Sequence, residues 1–180
     1  MTKIEIPLSR TKILLLLLGS IGFVAIGTLF IISPDTFLTT RMSSEGLIRT
    51  IGIISVLFFG ATSIIGVKKL FGNSVGLTID ENGITDNTNG SSIGLIKWSD
   101  ITQIKTEQVA STKFLLIFIG NPDFYLDKVT GFKRKLLEGN KRMYGTPLSI
   151  TSNTLKYNFA DLEKIINDKL TEFRQQMPNR

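Results

Sequence analysis

The chain of 180 residues contains no cysteine and no histidine. Without cysteine there is no disulfide framework, no thiolate nucleophile and no sulfur ligand for a metal. Without histidine the Ser-His-Asp and Cys-His nucleophile systems are excluded, as are the common zinc sites. The 16 glycines never fall in a G-x-x-x-x-G-K-[ST] segment, so no phosphate cradle is signalled. The nearest carboxylate pairs, Asp80/Glu81 and Asp123/Asp127, sit at turn and helix-cap positions, a poor setting for general acid–base work. These absences lead to the expectation of a non-catalytic protein with no cofactor and no metal site.

A strong charge excess is also missing where it would count. The net charge is +6, but from residue 70 onward fourteen Lys/Arg stand against twelve Asp/Glu. The surplus therefore lies in the first third of the chain, and global charge gives no case for nucleic acid as a partner.

What that first third has in abundance is apolar sequence. Residues 13–32 (ILLLLLGSIGFVAIGTLFII) contain no charge, and residues 50–67 (TIGIISVLFFGATSIIGV) contain none either. At about 1.5 Å per helical residue, the first run covers roughly the 30 Å of a bilayer's hydrocarbon core. Neither run has the polar stripe of a helix in a soluble core. They predict a transmembrane helical hairpin within residues 1–71, with spans at about residues 13–32 and 48–68, followed by a soluble domain over residues 72–180. A basic lead before a Leu-rich stretch also fits a signal peptide, with Ala25-Ile26-Gly27 as the cleavage-like site, but the apolar run exceeds a usual leader core.

Lys3, Arg10 and Lys12 precede the first span and Lys68-Lys69 close the second, against Arg41 and Arg49 in the link. By the positive-inside rule both termini lie in the cytoplasm. In the link, Ser33-Pro34-Asp35 stops the first helix, and Ser43 or Ser44 caps the second ahead of Glu45. Gly19, Gly22 and Ala25 share a face of the first helix, while Gly52, Gly60, Ala61 and Gly66 are spread over the second. Small residues of this kind let the two helices pack closely.

Beyond residue 71 the pattern changes to short β-type runs separated by turn signals. Residues 75–79 and 84–86 flank Asn82-Gly83, a strong tight-hairpin signal. Further strands are expected at residues 93–98, 101–107 and 114–119, then a last hairpin of 148–150 and 155–157 about Ser152-Asn153. Asn121-Pro122-Asp123 opens a helical insertion of about residues 123–142, interrupted near Thr130-Gly131. Asn158 caps a final amphipathic helix carrying Phe159, Leu162, Ile165, Ile166, Leu170, Phe173 and Met177 on one face.

The residues Leu77-Thr78-Ile79-Asp80-Glu81-Asn82-Gly83-Ile84 and Ile96-Lys97-Trp98-Ser99-Asp100-Ile101-Thr102-Gln103-Ile104 resemble the core of a bacterial membrane-protein family. Its members carry a pleckstrin-homology-like domain, and the two preceding spans and the Gly145-Thr146-Pro147-Leu148 turn are similar to a two-span subgroup. The resemblance implies an α+β protein: a transmembrane hairpin, then a β-barrel of about seven strands plugged by the C-terminal helix, in a bacterial inner membrane.

Candidate contacts are few. Trp98, the single tryptophan, reads as a packing residue, and Asn82, Gly83 and Asn158 as structural turn and cap residues. Lys128, Lys133, Arg134, Lys135, Lys141 and Arg142 make a basic segment that can meet anionic lipid or a partner, each charge adding about 1 kcal/mol near an anionic surface. The leading functional expectation is a membrane-tethered module that binds an as yet unidentified protein partner through a strand edge or the barrel–helix groove. Two alternatives are an immunity protein neutralising a toxin and a module that senses anionic lipid. The bilayer is a partner in all three.

Overall fold

The computed structural model describes residues 2–39, 44–72 and 75–176. Arg41, Ser43 and Met177, used above for orientation, capping and the last helix, lie outside the described residues. Two compact units separate: Arg10–Ser74, and Met1–Ser9 together with Val75–Arg180.

The first unit is a helical hairpin of α1 (Arg10–Ile32) and α2 (Glu45–Phe71), both long and apolar enough to cross a membrane. The expected spans fall inside these helices. Pro34 begins a short 3-10 turn, Pro34–Phe37, after α1, and the Ser44 hydroxyl caps α2 by accepting from the Leu47 N–H at 3.4 Å. Among their glycines, the helices meet most closely at Gly27 and Gly52. A Cβ on Gly52 would lie 2.6 Å from the Gly27 carbonyl oxygen, and one on Gly27 3.0 Å from the Gly52 oxygen. Around this contact the Ser55 hydroxyl donates to the Phe23 carbonyl at 3.2 Å, and Thr62 donates to Ser20 at 3.4 Å. Phe23 and Phe59 stack with centroids 4.4 Å apart. The close approach is therefore not at Gly19, Gly22 and Gly60, where an added Cβ would meet nothing within 4 Å. Glycine identity alone does not say which side of a helix faces its neighbour.

The second unit holds seven strands. A four-stranded antiparallel sheet runs in the order β1 (Ile4–Pro7), β2 (Val75–Ile79), β3 (Gly83–Asp86), β4 (Gly94–Lys97). A three-stranded antiparallel sheet follows as β5 (Ile101–Val109), β6 (Thr112–Ile119), β7 (Leu148–Ile150). Two short helices, α3 (Pro122–Leu126) and α4 (Gly131–Tyr144), are inserted between β6 and β7, and α5 (Phe159–Gln176) ends the unit. The architecture is α+β with two sheets; a closed barrel is not seen.

Seven strands were expected, but the set differs at both ends. Residues 4–7 read in the sequence as a membrane flank, yet they form β1 and pair with β2. Residues 155–157 read as a strand beside β7, yet Leu155 makes only an isolated bridge, to Leu8. The reason is a tight turn in which the Leu155 N–H bonds the Ser152 carbonyl at 3.0 Å. It directs the segment to the N-terminal residues, where Ser9 N–H donates to Thr154 O at 2.8 Å and Lys156 N–H to Pro7 O at 3.0 Å.

The apolar alternation of the strands builds one core. Ile6, Leu77, Ile79, Ile84, Leu115, Ile117 and Ile150 come from the sheets, Leu162 and Ile166 from α5, and all are fully buried. Asn158 fixes the start of α5, accepting from the Asp161 N–H at 2.9 Å and donating from its amide to the Asp161 carboxylate at 2.6 Å. This reciprocal pair satisfies a donor that the first helical turn leaves unpaired.

Candidate functional site

The six basic residues of interest all lie in or beside the α3–α4 insertion. Asn121 opens α3 by accepting from the Phe124 N–H at 3.2 Å, with Pro122 in the first turn, where its missing N–H costs no bond. Gly145, at φ +79°, closes α4 in the left-handed conformation and bonds back to the Lys141 carbonyl at 3.0 Å. Leu137 is the residue of α4 that is buried.

The structure divides the six cations into two sets. Arg134 bonds Glu138 at 2.8 Å and Asp127 at 3.0 Å, which together hold its proton more firmly. Lys141 pairs with Asp123 at 2.7 Å, tying α4 to α3. Lys133 donates to the Ser92 carbonyl at 2.5 Å, and Lys128 lies over the Phe124 and Tyr125 rings at 4.0 and 4.4 Å. These four are engaged within the fold. Lys135 and Arg142 are exposed, and neither forms an ion pair among the described residues.

Charge alone drew attention to this segment, and it conceals an apolar feature. Phe132, Leu136 and Met143 are 77%, 43% and 72% exposed, large apolar side chains left in solvent on one helix. Their spacing of four and then seven residues was the available signal.

Beside α3 lies a cleft of about 450 Å³ lined by Lys97, Asp100, Thr102, Asn121, Phe124 and Tyr125, among others. The buried Tyr125 hydroxyl donates to the Asp100 carboxylate at 2.7 Å and accepts from the Lys97 N–H at 3.2 Å. Burial first, then the bond to Asp100, pushes its pKa up to about 12. A phenol held neutral in this way is a fixed strut between the strand ends and α3. No group of three acidic residues that could hold a metal is present among the described residues.

Trp98 is buried, donating from its indole N–H to the Asp80 carbonyl at 2.8 Å, while its backbone N–H donates to the Asn82 carbonyl at 3.2 Å. Asp80 turns the β2–β3 hairpin by accepting from the Asn82 and Gly83 N–H groups. At Gly83, φ is +156° and a Cβ would lie 2.0 Å from the Ile96 carbonyl oxygen, so the residue is required by close backbone approach.

The remaining feature is an edge. Strand β5 pairs with β6 on one side and with no strand on the other among the described residues. Arg174 of α5 covers its first two carbonyls, Ile101 O at 3.4 Å and Thr102 O at 2.9 Å. From Gln103 to Val109 the residues are exposed, apart from a half-buried Ile104.

The chain matches no protein-family model, no curated protein and no solved structure.

Proposed function

We propose that this is a non-catalytic integral protein of a bacterial inner membrane whose soluble domain, of pleckstrin-homology-like type, lies in the cytoplasm and binds a protein partner. Membrane integration is supported by the outward faces of α1 and α2. Residues such as Leu15, Leu57 and Phe58 are exposed along helices of 23 and 27 residues, far more apolar surface than water tolerates. The domain type is supported by the succession of a four-stranded and a three-stranded antiparallel meander followed by a single long helix. Two crossings return the chain to the side it left, in keeping with β1 and β2 lying in one sheet.

The observation that carries the binding role is the open edge of β5. Beyond the two carbonyls that Arg174 covers, the edge of β5 turned away from β6 presents N–H and C=O groups that an extended peptide satisfies by adding a strand. Lys105 and Glu107 on that strand guard it against indiscriminate pairing. The occupant is accordingly an extended segment of another protein. A photoreactive residue at Glu107 in the full chain, irradiated in cells, is expected to capture one discrete protein through such a segment. Absence of any protein adduct at Glu107 contradicts the reading.

A further inference from the structure

Helix α4 has two separate apolar faces. The inner one packs Leu137. The outer one consists of Phe132, Leu136 and Met143, which fall within roughly 40° of arc on a helix of 3.6 residues per turn and remain in solvent. Lys135 and Arg142, seven positions apart, run along one side of this outer stripe. Both are exposed, whereas the other basic residues of the helix are engaged inside the domain. The helix's one acid, Glu138, is bound to Arg134.

An apolar stripe edged by unengaged cations is what a helix needs to lie in a headgroup layer, apolar side chains down and cations on lipid phosphates. The chain also brings the bilayer with it. Only residues 8–9 separate β1 from α1, and only residues 72–74 separate α2 from β2. So short a tether keeps the effective concentration of lipid at the domain high.

We propose that the outer face of α4 docks on an anionic lipid surface, with Phe132, Leu136 and Met143 in the boundary between headgroups and acyl chains and Lys135 and Arg142 on phosphates. The inference rests on α1 and α2 being membrane spans.

The test exploits the absence of cysteine. The full chain with Met143→Cys carries one thiol, which takes a nitroxide label before reconstitution into vesicles of phosphatidylcholine with or without phosphatidylglycerol. Phosphatidylglycerol is expected to reduce contact between the label and an aqueous nickel reagent by about fivefold or more, the effect of even one basic side chain at the surface. Adding Lys135→Glu and Arg142→Glu is expected to restore contact. A label at Lys164→Cys, on an exposed part of α5, is expected to stay wet throughout. Equal contact at Met143→Cys in the two vesicle types overturns the proposal, as does equal protection of both labels. Failure of the chain to float with the vesicles overturns the membrane reading as well, whereas flotation with a wet label overturns the docking alone.

Discussion

Ile6 in β1 stands opposite Leu77 in β2, and both side chains are completely buried. The pair joins a strand that precedes the helical hairpin to one that follows it, so the second unit is assembled from both sides of the hairpin in the chain.

Truncating that contact is expected to destabilise the second unit. Ile6→Ala removes buried methylenes and leaves a cavity, at a cost of about 3 kcal/mol. Trp98, the single tryptophan and itself buried in this unit, makes the measurement selective. Urea unfolding of the detergent-solubilised full chain, followed by tryptophan fluorescence, is expected to show the loss while the helices of the hairpin persist.

The β2–β3 turn gives a sharper contrast. Gly83→Ala places a Cβ against the Ile96 carbonyl at a backbone angle that L-residues resist, and is expected to cost more than about 1 kcal/mol. Gly90→Ala meets nothing within 4 Å and is expected to leave the same fluorescence transition nearly unmoved.

These two sites show which features could be read from sequence. Asn82-Gly83 and the Asn158 cap were legible because their chemistry is local: the residues that make the turn or cap are neighbours in the chain. The two long helices were legible because uncharged apolar runs of eighteen or more residues mark them out. Strand β1 was not, since its four residues acquire meaning only from β2, some seventy positions later. The Gly27–Gly52 contact was hidden for the same reason. On α4 the basic residues were conspicuous, but local sequence could not show that Arg134 and Lys141 would be consumed by Glu138, Asp127 and Asp123. Nor did it separate Leu137, which is buried, from Leu136, which is not.

Within the hairpin, Gly52→Val is expected to push the helices apart, because its side chain would collide with the Gly27 carbonyl and Phe30. A Ser20→Cys, Thr62→Cys pair, placed where the two hydroxyls lie 3.4 Å apart, reports the change. Disulfide formation under mild oxidation is expected in the otherwise native hairpin and is expected to fall sharply when Gly52→Val is added.

The burial of Tyr125, together with its bond to Asp100, carries a pH signature. The folded phenol titrates near pH 12 against an ordinary value of 10.0, so the folded state holds its proton more tightly than the unfolded chain. The stability linked to this difference is intact below pH 10 and is lost as pH rises from 10 toward 12. Tyr125→Phe is expected to cost about 1.5–3 kcal/mol at neutral pH, as loss of a hydrogen bond to a charged acceptor does. It is also expected to flatten the decline between pH 10 and 12 relative to the parent protein, measured by the Trp98 transition at each pH.

The central claim is a two-span protein with its soluble unit, N-terminal strand included, on the cytoplasmic side. Single cysteines at Lys3, Leu38 and Gln108, in a chain that has no thiol of its own, test it directly with a membrane-impermeant maleimide on intact spheroplasts. The account predicts labelling of Leu38→Cys from outside, with Lys3→Cys and Gln108→Cys labelled only after lysis. Labelling of Gln108→Cys from outside, or of Lys3→Cys alone, would contradict it.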